Sequence, residues 1–329
     1  MNEIPITLAC GPYDRTEALR DGSIRVEGVR LTYISLAPEE IFWRMLKFRE
    51  FDVSEMSMCN HIMATARGTS PFVAIPVFPS RMFRHGCIFI HTRSGIKAPA
   101  DLTGKRVGAP EYHMTALLWI RGMLQHEYGV RPQDMHWVLA GLETPGRRDR
   151  IEFTMPAGLS WESHPDRVLS DMLERGEVDA VMTARAPSCF VRGSPQVVRL
   201  FEDYLSVEQD YYRRTGLFPI MHTLVVRKDL DEQHPWLAQS LFKAFVRAKE
   251  RAAEQMWDTD ALRYMIPWLL PALQQHRAVF GEDWWPYGIE ANRHVVETMV
   301  QYALEQGLIG RPVDVAELFA ASTLSTFKV

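Results

Sequence analysis

"DLTGKRVGAPEYHMTALLWIRGMLQHEYGV", residues 101–130, decides the fold. It reads as a turn, a short strand ending near Ala109, and an amphipathic helix carrying Leu117, Ile120, Met123 and Leu124 on one face. A similar passage stands at the N-terminal end, so the mid-chain one opens a second unit rather than extending the first. There, "ITLACG" is an apolar run stopped by Gly11-Pro12, and "VRLTYISL", 29–36, alternates like a strand. "PEEIFWRMLKF" puts Ile41, Met45 and Phe48 on one helical face, with Pro38 and two glutamates suited to a first turn. "FDVSEMSM" and "PFVAIPVF" supply further strands. The order β, β, α, β, α, β predicts an α/β sheet. Beyond residue 130, "DRVLSDMLERGEVDAVMTARAP" reads as a helix, a turn at Gly176 and the strand "DAVMT", and "IMHTLVVRKD", 220–229, reads as a central strand. The chain then turns helical in "PWLAQSLFKAFVRAKERAAEQMW" and "GIEANRHVVETMVQYALEQGL".

Length agrees with two units: 329 residues exceed the usual allowance of about 150 per domain. The expected division is a first lobe over 1–88, a second over 89–222, and a return to the first lobe with C-terminal helices over 223–329. Residues 85–92 and 220–227 are the expected crossing strands. With 47% hydrophobic and 24% charged residues and a net charge of −4, nothing points to nucleic acid or a membrane surface. Arg147-Arg148-Asp149-Arg150 is the densest basic cluster, read equally as a solvated loop or a binding one. Cys10, Cys59, Cys87 and Cys189 are far apart and form no CxxC, which fits reduced, buried thiols. Met1-Asn2-Glu3 lacks a positive n-region, and the run Ile4 to Cys10 is short and broken by Pro5, so a cytoplasmic protein is expected.

"FPSRMFRHGCIFIH", 78–91, poses the functional question. Its second half reads as a buried strand, yet Arg81, Arg84 and His85 crowd its entrance. Such cations are costly to bury unless an anion answers them.

"DLTGKRVGAP" opening the second lobe and "GEVDAVMTA" near its end resemble the type 2 periplasmic binding protein fold. More specifically, "YDRTEALRDG", "FDVSEMSM", "IPVFPSRMFRHG", "DLTGKRVGAPEYHMTALLWIRG", "TGLFPIMHTLVVRKD" and "EDWWPYGIEANR" resemble the 4,5-dihydroxyphthalate decarboxylase family, from about residue 13 to 293. The resemblance implies a two-lobed α/β fold with a ligand cleft between lobes joined by two crossing strands. It also implies non-oxidative removal of one carboxylate from a catechol dicarboxylate, giving protocatechuate and carbon dioxide. A noncatalytic solute-binding or sensor protein for an aromatic acid is the alternative on the same scaffold.

Ligands of such folds collect outside the carboxyl ends of strands, and five loops are expected to meet there: 11–15, 54–57, 79–85, 110–115 and 183–187. A helix beginning near Tyr112 would add unpaired backbone donors, favouring an anion. Aromatic decarboxylation needs a proton donor over the ring, a base at the catechol and cations for the spectator carboxylate. His85 is the first choice as acid or base, with a backbone-bonded hinge histidine as its structural alternative. Glu111 and His113 suit the catechol protons, or else capping and surface roles. Arg81, Arg84 and Arg185 suit carboxylates; if 81–85 were extended, Arg81 and Arg84 would face opposite sides, and Arg81 is preferred. Tyr13, Arg15, Ser54, Glu55, Tyr112, Thr115 and His222 complete the expected substrate contacts, with Ser54 and Glu55 on a loop edge, Glu55 a proton acceptor or arginine partner, and a core role the alternative for His222. GxGxxG, P-loop and GxSxG motifs are absent, and "HEYGV" fails HExxH. No cofactor is required by any motif; Glu111, His113, His85 and His222 leave a divalent metal open. The expected partners are a small aromatic dicarboxylate and a second copy of the chain, with the "WWPY" and "PWLL" stripes as packing or subunit contact.

Overall fold

A computed structural model describes residues 3–146, 151 and 153–325; the Arg147–Arg150 cluster lies outside the described residues. The described strands, in chain order, are β1 (Ile4–Cys10), β2 (Val29–Ser35), β3 (Val53–Ser57), β4 (Phe72–Arg81), β5 (Ile88–His91), β6 (Arg106–Ala109), β7 (His136–Gly141), β8 (Ser160–Val168), β9 (Ala180–Met182), β10 (Val197–Arg199) and β11 (Ile220–Arg227). The chain divides into two α/β units.

The first unit holds the residues up to Arg81, His222–Glu297 and those from Val313 onward. Its sheet runs β2-β1-β3-β11-β4. β1 lies parallel to β2 and β3, while β11 is antiparallel to β3 with His222 opposite Ser57 and Leu224 opposite Glu55. Pro76 is tolerated because β4 is an edge strand and this residue turns its backbone polar groups to the outer side, where there is no ladder donor to lose. The edge is covered by chain: Ala320 N–H donates to Ala74 O and Gly288 N–H to Pro76 O, each at 2.8 Å. Ile6, Leu8, Val53, Ile75, Val77, Leu224 and Val226 are buried around this sheet, each such side chain contributing about 1.5–3 kcal/mol.

The helix Pro38–Phe48 forms as its spacing predicts, burying Ile41 and Met45. Phe48 departs from that expectation. It is 55% exposed because the helix ends at it: Arg49 adopts a left-handed φ of 51°, and the ring packs edge-on against Trp43 instead.

The second unit comprises Met82–Met221 and Thr298–Pro312. Its sheet runs β10-β5-β9-β6-β7-β8, with β9, β6, β7 and β8 parallel and β5 antiparallel to both neighbours. The helix Thr115–Tyr128 and the core formed by Phe89, Val138, Leu169, Met172, Val178 and Val181 pack it. β8 shows no apolar alternation; its sequence SWESHPDRV suits a polar edge strand. The unit boundaries fall between Arg81 and Met82 and between Met221 and His222, upstream of the divisions after 88 and 222 read from sequence, and residues 298–312 belong to the second unit rather than the first.

Candidate functional site

β3 carries two consecutive polar residues into the core of the first unit. Because successive side chains alternate, Ser54 and Glu55 point to opposite faces of the sheet. Both are 0% exposed, so neither lies on the loop edge expected for them: β3 extends through both. Glu55 is held by groups remote in sequence. Gly11 N–H donates to Oε2 at 2.8 Å, Tyr13 hydroxyl to Oε1 at 2.6 Å, and His222 Nδ1 to Oε1 at 2.5 Å, with Cys10 Sγ at 3.6 Å. The antiparallel register of β11 on β3 sets His222 diagonally beside Glu55 on the same face. Burial by itself would push the Glu55 carboxyl up; the His222 charge and the hydrogen bonds from His222, Tyr13 and Gly11 outweigh it and hold it below the usual carboxylate range. Burial, then the Glu55 charge, push the Tyr13 hydroxyl and the Cys10 thiol up, so both stay protonated as donors. The His222 ring meets Phe42 edge-on at 4.8 Å. On the other face, the Ser54 hydroxyl is buried with no hydrogen-bond partner among the described residues.

Arg15 stacks on Tyr13 and Trp285, each at 4.3 Å, and donates to Asp14 and to Pro79 O. Arg81 donates to Pro286 O at 2.9 Å and to the Asn292 side chain. Both guanidiniums are thus anchored within the first unit. Trp285 Nε1 donates to Phe78 O, so the "WWPY" stripe packs.

In the second unit, Met82–Arg84 are irregular and His85–Cys87 form a 3-10 turn. The extended conformation considered for 81–85 does not occur, so strand alternation does not set the Arg81 and Arg84 side chains on opposite sides. Arg84 is 6% exposed; it donates to Ala184 O at 3.0 Å, with Met221 Sδ and Cys87 Sγ as its other acceptors. No carboxylate among the described residues pairs with it. His85 packs edge-on against Phe201 and Tyr211 at 5.3 and 5.2 Å, and burial together with the Arg214 charge lowers it to about 4. Its Nδ1 lies 3.9 Å from Glu208, whose carboxyl burial raises to about 7.

Glu111, Tyr112 and His113 form a buried turn ahead of the helix, which starts at Thr115 rather than near Tyr112. His113 Nε2 stands 3.9 Å from Glu111 Oε2. Glu111 and Tyr112, with Phe153, Met155 and Trp161, line a cavity of about 410 Å³. Arg185 is exposed. Among the described residues no group of three or more His, Cys, Asp or Glu is arranged to hold a metal ion. All four cysteines are buried and free. Sequence reasoning named Glu55 and His222 separately and missed their pairing, and it missed Glu208, which sits on the helix Tyr204–Thr215 without any motif to mark it.

Over its whole length, and that of the relative, the chain is 43% identical across 330 residues to a 4,5-dihydroxyphthalate decarboxylase of Comamonas testosteroni. The chain belongs to the 4,5-dihydroxyphthalate decarboxylase family. A second member, from Pseudomonas putida, is 42% identical over 214 residues, covering 65% of this chain and 83% of the relative. No family model matches the chain. Among solved structures, the periplasmic aliphatic sulphonate binding protein SsuA from Escherichia coli aligns with a TM-score of 0.56 at 13% identity, covering 98% of this chain and 99% of that one. The desulfurization enzyme DSZB aligns at 0.53 and 17%, covering 98% of each. At these identities the likeness gives the fold alone: this decarboxylase family is built on the periplasmic-binding-protein-like scaffold expected from the sequence.

Proposed function

We propose that the chain is a carboxy-lyase that converts 4,5-dihydroxyphthalate to protocatechuate and carbon dioxide. The observation that carries this reading is the end-to-end 43% identity to a 4,5-dihydroxyphthalate decarboxylase. The chemistry suits an enzyme without a required cofactor. Direct loss of carbon dioxide would leave an aryl carbanion, but each carboxylate of this substrate is para to a hydroxyl. Electron density from that oxygen allows the ring carbon to be protonated first, after which carbon dioxide departs.

Arg84 is assigned to the spectator carboxylate. A buried guanidinium with a carbonyl and two sulfurs as acceptors makes no direct ion pair among the described residues, although the Glu208 carboxyl feels its charge, and a substrate carboxylate would answer it with charge-assisted hydrogen bonds. Glu111 and His113 are assigned to the catechol hydroxyls, beside the cavity that Glu111 lines. A solute-binding role has only the shared scaffold behind it. The four free, buried thiols accord with a cytoplasmic location, and no helix among the described residues is long and apolar enough to cross a membrane. Self-association is assigned to the exposed Leu262, Met265, Ile266 and Trp268.

The test is a product assay on the purified, chelator-treated protein with 4,5-dihydroxyphthalate and a panel of hydroxylated benzoates and phthalates. Stoichiometric carbon dioxide and protocatechuate support the reading. Tight binding of unchanged ligand refutes it.

A further inference from the structure

Resting on the decarboxylase reading, we propose that His222 is the catalytic acid that protonates the substrate ring, and that Glu55 is the positioning residue that holds it. A carboxylate that is 0% exposed in a sheet core costs several kcal/mol unless its oxygens are answered. Here they are answered in full by Gly11 N–H, the Tyr13 hydroxyl and His222 Nδ1. Such a site is far more elaborate than packing requires. Leucine or methionine would fill β3 without a backbone amide, a tyrosine and a histidine converging on it.

What the arrangement achieves is a histidine with one fixed tautomer. Because the carboxylate can only accept, Nδ1 must donate, and the other ring nitrogen, Nε2, is the one left for chemistry. Phe42 against the ring edge at 4.8 Å fixes the imidazole plane. The His222 side chain is 19% exposed, whereas Glu55 is fully enclosed, and among the described residues Nε2 has no partner. The other titratable groups around Glu55 are Cys10, Tyr13, Tyr33 and Arg15; burial pushes the first two and Tyr33 up, so they remain protonated and cannot take the role of base toward His222. His85 has no comparable orienting partner: its Nδ1 makes no hydrogen bond.

The step balances. The proton on Nε2 passes to the ring carbon bearing the departing carboxylate, and a ring π pair, replenished by the para oxygen, forms the new C–H bond. The bond to the carboxylate then breaks, its electron pair restores aromaticity, and carbon dioxide leaves. Nε2 regains its proton from water, so one proton is taken up per turnover.

The experiment measures kcat and KM of the full-length protein with 4,5-dihydroxyphthalate for wild type, His222→Ala, His222→Gln, Glu55→Gln and Glu55→Asp, with protocatechuate titration and circular dichroism to verify folded, ligand-competent protein. Both His222 variants should lose about 10²- to 10⁴-fold in kcat, with KM changed no more than about threefold. Glu55→Gln should lower kcat and displace its pH profile, and Glu55→Asp should recover part of the loss; a merely structural Glu55 would leave the profile of the folded fraction in place. Should His222→Ala fail to fold, the near-isosteric His222→Gln decides. A folded His222 variant that keeps kcat within about threefold, or a Glu55→Gln profile superimposable on wild type, overturns the assignment while leaving the decarboxylase reading intact. An inactive wild type overturns both.

Discussion

His85 Nδ1 lies 3.9 Å from Glu208 Oε1, too far for a hydrogen bond. The two groups have gone opposite ways. Burial raises Glu208 to about 7 despite the Gly86 N–H it accepts at 3.2 Å, and burial lowers His85 to about 4. Around pH 5 to 6, then, the pair is neutral on both sides.

That neutrality has a pH signature. The folded pKa of Glu208 stands above an unfolded value of about 4.3, so the folded state binds more protons in between. Its stabilising contribution is present below the unfolded value and is lost as pH climbs toward 7. His85 contributes with the opposite slope, between about 4 and its unfolded value of about 6.5. Glu208→Gln mimics the protonated carboxyl at every pH and isolates the first effect. Its melting temperature minus that of wild type should be larger at pH 8 than at pH 5. Equal differences at the two pH values would mean that Glu208 is ionised in the folded protein throughout.

Replacing His85 by Ala removes a ring packed between Phe201 and Tyr211. The expected cost is about 1–3 kcal/mol of stability, read as a lower melting temperature. The loss of kcat per folded molecule should be smaller than for His222→Ala. A folded His85→Ala protein with unchanged melting temperature and abolished turnover would return the acid to His85.

Arg84→Met tests the buried cation. Removing a guanidinium that has no carboxylate partner should leave the melting temperature of the ligand-free protein unchanged or raise it. KM for the dicarboxylate should rise about ten- to hundredfold, the worth of a charge-assisted hydrogen bond. A marked fall in melting temperature with KM unchanged would make Arg84 a structural residue.

The scaffold was legible where a local pattern carries the physics. The strand and helix periods of "VRLTYISL", "PEEIFWRMLKF" and "IMHTLVVRKD" reappear in β2, Pro38–Phe48 and β11. The site was only partly legible, and β3 shows why. Two adjacent polar residues at 54 and 55 look like an edge within their own window. Glu55 is nevertheless a core residue, because its partners arrive from 42 to 167 positions away. The compensation that permits a buried carboxylate is long-range, so no window along the chain contains it. β8 is the converse case: an edge strand needs only one good neighbour, and its polar sequence gave no period to find.

Gly122 gives the last prediction, because a glycine in the middle of the helix Thr115–Tyr128 costs about 1 kcal/mol relative to alanine unless something needs the space. Here the Tyr302 ring needs it: a Cβ at position 122 would stand 2.0 to 2.6 Å from three of its ring carbons. The Tyr302 ring cannot easily withdraw, since it is buried and packs edge-on against Trp119 and in a stack against His126, at 5.7 and 4.9 Å. The helix-propensity gain from alanine should therefore be overwhelmed, and Gly122→Ala should lose about 1–3 kcal/mol or more from overpacking. Denaturant unfolding of Gly122→Ala and of the double variant Gly122→Ala/Tyr302→Leu checks the cause. The smaller, flexible side chain should recover part of the loss, and equal destabilisation of Gly122→Ala in the wild-type and Tyr302→Leu backgrounds would show that the two positions are not in contact.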